Sequence, residues 1–157
     1  MSTRVADGLG LLARLVLGVV FLVAGALKVT TPEAMAKATQ AYQLLPHDLA
    51  AWVGYALPMV EIILGLLLVL GLFTRVAAVI TSLLVVAFIV GIAQAWARGL
   101  TIDCGCFGGG GTVSAAETNY LQRILEDLGL LACGVWLSWR PDAHLSLDRA
   151  MFRPATT

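Results

Sequence analysis

Residues 52–73 read WVGYALPMVEIILGLLLVLGLF, an apolar run interrupted by one charge, Glu61. A helix rising about 1.5 Å per residue needs roughly 20 residues to cross about 30 Å of hydrocarbon, so this run has the length of one crossing. Three other stretches share its character, at about Leu9–Leu27, Val76–Ala97 and Tyr120–Trp139. Inside a bilayer every backbone N–H and C=O must be satisfied within the protein, which restricts spanning segments to helices and closed barrels. Barrel strands alternate apolar and polar residues, and these runs do not. The expected fold is therefore all-α: a polytopic membrane protein whose residues 1–140 form a four-transmembrane-helix bundle. Residues 141–157 are expected to be a poorly ordered cytoplasmic tail.

Composition agrees. Of 157 residues, 59% are apolar and only 13% charged, against roughly 45–50% and about 25% in soluble domains; the mean hydropathy is +0.89. Ten basic and ten acidic side chains cancel, so there is no overall field to attract nucleic acid. The expected solvent is the lipid bilayer, and nucleic acid is not an expected partner.

The first run has a second reading, because Arg4, an apolar stretch and Ala24-Gly25-Ala26 also resemble a secretory signal with a small-residue cleavage site. Against cleavage, Gly10, Arg14, Gly18, Phe21, Gly25 and Lys28 recur every three or four residues. They mark one helix face suited to close packing, for which a discarded signal has no use.

Flanking charges set the orientation, since Lys and Arg stay on the cytoplasmic side. One side holds Arg4, Arg75, Arg140, Arg149 and Arg153; the other holds Lys28, Lys37 and Arg98, with Arg123 near the start of the last run. Both termini are expected in the cytoplasm, with Trp52, Trp96 and Tyr120 near the outer interface and Trp136 and Trp139 near the inner one. In the first outer loop, Thr31-Pro32-Glu33 reads as an N-cap, a proline at the first helical position and an acid in the first turn. Met35, Thr39, Tyr42 and Leu45 follow at helical spacing up to Pro46. A short interfacial helix is expected there, either a plain connector or part of a lid over a site.

The second outer loop contains Asp103-Cys104-Gly105-Cys106-Phe107-Gly108, followed by Gly109-Gly110-Gly111. Two thiols separated by one glycine can close into a small strained ring, and strain raises a disulfide's reduction potential. Three readings are open: redox exchange through Cys104 and Cys106, a structural bridge, and metal binding by two soft thiolates. Further metal ligands are scarce, because His47 is the only histidine expected on that side. Asp103 disfavours a thiolate unless a cation such as Arg98 or Arg123 offsets it.

Ionisable groups within spans are costly and each is a candidate functional residue. Glu61, one turn after Pro58, stands about 13 Å into the second run by residue count, and Glu126 and Asp127 about 10 Å into the fourth. The three carboxyls are expected to share one layer below the loop. Arg14 is the first candidate partner for Glu61 and Arg123 the second, while Arg123 and Asp127 at i, i+4 suit an ion pair. The layer serves either as structural ion pairing or as a proton-relaying or quinone-contacting site. Cys133, deep in the last run, reads as packing.

Arg14…Gly18…Phe21…Gly25…Lys28, then Leu44-Leu45-Pro46, Pro58-Met59-Val60-Glu61 with Gly65, Gly71-Leu72-Phe73-Thr74-Arg75 and Cys104-Gly105-Cys106-Phe107-Gly108 together resemble the MauE branch of the DoxX-like membrane proteins. The resemblance runs from Leu9 to Trp139. It implies a four-helix bundle tied to thiol redox chemistry, in which MauE proteins help mature the disulfide-rich small subunit of methylamine dehydrogenase beside a thioredoxin-like partner. Other relatives accompany quinone-linked sulfur oxidation. Carried over, Cys104 and Cys106 become the redox pair, and Glu61 and Arg14 family-like polar positions. The expected function is a thiol–disulfide oxidoreductase serving a thioredoxin-like or secreted disulfide-containing partner, with a membrane quinone as the one candidate cofactor. The alternatives are an accessory subunit of a larger membrane complex and a metal-handling protein.

Overall fold

The computed structural model describes residues 3–103, 111–112 and 119–140. Five helices follow in order: α1 (Thr3–Val29), α2 (Pro32–Ala41), α3 (His47–Leu70), α4 (Thr74–Ala97) and α5 (Tyr120–Trp139). Between α4 and α5 two short strands, β1 (Ile102–Asp103) and β2 (Gly111–Thr112), pair antiparallel, Ile102 opposite Thr112 and Asp103 opposite Gly111.

Three helices are long and apolar enough to cross a membrane: α1 from Asp7 to Val29, α3 and α4. Their outward faces carry Leu12, Val19, Ile63, Leu70, Val76 and Leu83, all exposed, as expected of surfaces solvated by lipid. The fourth expected span is a helix of the expected extent, but α5 carries Arg123, Glu126 and Asp127 within its first eight residues and falls outside that group of three.

Two boundaries differ from the sequence expectation. Helix α3 starts at His47, five residues before Trp52, and it ends at Leu70 because Gly71 takes a left-handed conformation (φ 68°). Gly71 N then donates to Leu68 O at 3.1 Å and Leu72 N to Leu67 O at 2.9 Å, the double bond of a Schellman cap. The loop helix is present but stops at Ala41 rather than at Pro46, since Tyr42 closes it and Gln43 turns to φ 52°. Thr31 and Pro32 stand at its start as expected, although the Thr31 side chain makes no capping bond.

Lipid tails are as apolar as leucine, so helix association within a membrane rests on close packing rather than hydrophobic exclusion. Glycines supply it here. A Cβ on Gly18 would meet Val69 Cγ2 at 2.8 Å and Gly65 O at 3.1 Å; one on Gly25 would meet Ile62 Cγ1 at 2.7 Å and Pro58 O at 2.8 Å. The small-residue face of α1 is thus the face that lies antiparallel on α3. Helix α2 crosses α3 just as closely, at Gly54, whose added Cβ would stand 2.6 Å from Met35 O. Helix α5 packs on α4 and α1, and Leu17, Phe21, Leu64, Leu68, Val85 and Leu137 form the shared core.

Candidate functional site

The antiparallel register of α1 on α3 decides which charges meet. With Gly25 against Pro58 and Ile62, the next turn of α1 brings Lys28 to Glu61, and Lys28 Nζ donates to Glu61 Oε1 at 2.5 Å. Both residues are buried, at 3% and 1% exposure. The partner expected first was Arg14. Arg14 is also buried, but it lies fourteen residues from Lys28, about 21 Å along the helix, on the far side of the Gly18 contact. Because α3 begins five residues before Trp52, Glu61 stands fourteen residues, about 21 Å, from the start of the helix.

Glu61 does have a basic partner from another helix, and it shares a cavity with the other two carboxyls. Lys28, Glu61, Arg123, Glu126 and Asp127 line one cavity of about 40 Å³ together with Val20, Phe21, Ala24, Val85, Phe88 and Leu130. That volume suffices for a water molecule. The ion pair of Arg123 is with Glu126, at 3.0 Å and i, i+3, where Asp127 at i, i+4 was expected. Gln122 Nε2 also donates to Glu126, at 2.9 Å. Asp127 is buried and its Oδ2 has no hydrogen-bond partner among the described residues, nor has Glu61 Oε2. Two bases therefore face three carboxyls around a space of water size.

Cys104, Gly105, Cys106, Phe107 and Gly108 lie outside the described residues, between β1 and β2. The base of that segment is fixed. Tyr120 at the start of α5 receives a hydrogen bond from Ile102 N at 3.2 Å, donates its own hydroxyl to Leu100 O, and stacks on Trp96 at 6.3 Å. Ile102 is buried, and α2 packs against both strands. Arg98, one of the two cations considered beside Asp103, is drawn to the α2–α3 connector: Nη2 donates to Gln43 Oε1 at 2.9 Å, and Gln94 donates to Tyr42 O at 2.9 Å. His47 meets Gln40 at 3.0 Å. Pro58 is buried within an unbroken α3, and Cys133 is half-buried in α5 as a free thiol.

The residues line up with a known family along most of the chain. The family model of methylamine utilisation protein MauE matches residues 6–140. This chain belongs to the MauE family. No curated protein and no solved structure matches it. The match takes in α1 from its fourth residue onward, all of α2–α5, the Lys28–Glu61 pair and the Cys104-Gly105-Cys106 segment.

Sequence reasoning missed Lys28 as a site residue. Its signal was in hand, for Lys28 ends the small-residue face of α1, but its place beside a loop reads equally as a topogenic flank. Phe88 and Tyr120 gave no signal beyond an apolar core position and an interface aromatic.

Proposed function

We propose that this MauE-family protein acts in methylamine utilisation as a membrane thiol–disulfide redox protein, exchanging oxidising equivalents through Cys104 and Cys106. In this reading α5 is a fourth crossing, α2 lies on the outer interface, both termini are cytoplasmic and the thiols are extracytoplasmic. The observation that supports it is the anchored base of the CGCFG segment: β1, β2, Tyr120 and α2 hold its two ends, and in sequence a single glycine separates the two thiols.

A partner dithiol attacks the Cys104–Cys106 disulfide, a mixed disulfide forms, and the partner's second thiol resolves it; the partner leaves oxidised and Cys104 and Cys106 are left as thiols. Reoxidising them removes two electrons and two protons. A membrane quinone, when bound, supplies an acceptor for both. The protein's own contribution is proton handling: Lys28 and Arg123 face three carboxyls, of which Asp127 is buried with its Oδ2 lacking a hydrogen-bond partner among the described residues, and is the group placed to take up a proton. The partner is a thioredoxin-like or secreted protein with disulfides to be formed.

The test is replacement of each thiol in cells. Cys104→Ser and Cys106→Ser should each abolish formation of the partner's disulfides, and one should accumulate a mixed disulfide with the partner. Normal partner disulfides in the double serine variant would end this reading.

A further inference from the structure

A second cavity, of about 260 Å³, lies between α2, α3 and α4, close to the lower end of pockets that take small organic molecules. Its walls are mostly apolar, with Met35, Leu45, Leu57, Phe88 and Gly91 among them; Thr39 and Tyr42 add hydroxyls, and Lys28 is its only charged residue. Lys28 and Phe88 line both cavities, so the Lys28–Glu61 pair stands between an apolar chamber and the carboxyl cluster.

An ammonium has three N–H donors. Among the described residues Lys28 gives one, to Glu61, and its Nζ lies 5.5 Å from the centre of the Phe88 ring. Its remaining donors make no further hydrogen bond there, although the residue is 3% exposed. Buried donors call for acceptors. Thr39 is not a second donor to a ligand, since its hydroxyl hydrogen is given to Met35 O at 2.9 Å. Because Glu61 already neutralises Lys28, a charged head group would enter without a counter-ion, whereas a neutral carbonyl oxygen would not. The rim includes Leu44, Leu45 and Val53, at 55%, 41% and 37% exposure, and α3 and α4 are apolar enough to cross a membrane. The exposed way in is therefore lined by apolar side chains.

We propose that this chamber binds a lipid-soluble quinone, with a ring carbonyl accepting from Lys28, the ring beside Phe88 and the tail leaving past Leu44 and Val53. The proposal rests on the redox reading for its purpose and on the chamber for its site. Its consequence is a direct route for protons, since the carbonyl's donor is also the partner of Glu61.

The full chain in lipid nanodiscs is titrated with decylubiquinone, empty nanodiscs serving as the baseline. One equivalent should bind above the baseline. Ala87→Phe, which narrows the chamber from its exposed wall, and Lys28→Gln should each weaken binding about tenfold or more, the loss of a charge-assisted hydrogen bond or of the space for the ring. Leu83→Phe, on the exposed face outside the chamber, should bind as the parent does, with helix content by circular dichroism equal in all variants. Binding no greater than in empty nanodiscs, parental binding by Ala87→Phe, or displacement by added phosphatidylglycerol alone would overturn the proposal. The Cys104→Ser/Cys106→Ser chain should still bind, so a failed chamber and a failed thiol reading give different results.

Discussion

Lys28 Nζ and Glu61 Oε1 meet at 2.5 Å across the α1–α3 interface, both out of solvent. Breaking a buried pair by removing one partner strands the other charge, at about 3–5 kcal/mol, whereas replacing both with apolar groups restores much of the stability. Lys28→Met and Glu61→Leu should each lower the thermal midpoint in detergent, and the double variant should recover most of it. If the pair also functions, the stable double variant should still fail to support disulfide formation in the partner. Full function in that variant would reduce the pair to a structural tie.

Gly25 holds α1 against the Pro58 carbonyl. Gly25→Ala places a methyl group 2.8 Å from that backbone oxygen, which a main chain cannot easily yield, and should cost about 1–3 kcal/mol. Gly129→Ala is the matched control, with nothing within 4 Å of the added carbon. Unfolding in a graded detergent series should separate the two; equal midpoints would show that the α1–α3 contact gives way freely.

Tyr120→Phe removes the hydroxyl that bonds Ile102 N and Leu100 O while keeping the stack on Trp96. Each lost hydrogen bond is worth about 1 kcal/mol, too little to unfold the bundle. It should loosen the base of the CGCFG segment. Limited proteolysis should then cut faster between residues 100 and 119, with the helices unaffected.

The proposed orientation, argued from the basic flanks, puts that loop outside, so a membrane-impermeant maleimide should label reduced Cys104 or Cys106 in intact cells. Labelling only after lysis would reverse the orientation.

The sequence by itself determined the helices. Runs such as Val76–Ala97 are so uniformly apolar, and the backbone's demand for internal hydrogen bonds in lipid so strict, that secondary structure needed no tertiary information. Gly18 and Gly25 likewise announced a packing face, because only small residues let two backbones approach. That Glu61 required a basic partner was also legible, since an isolated buried carboxylate is too costly. Which base answered was not. Lys28 and Arg14 lie on the same face of α1, and only the register of α1 on α3, fixed by Gly18 on Gly65 and Gly25 on Pro58, brings the first to Glu61 and carries the second away. The meeting of Glu126 and Asp127 with that pair depends on how α5 settles on α4 and α1, and the apolar chamber behind Lys28 on how α2 settles on α3. Such contacts join residues far apart in the chain, and no local periodicity encodes them.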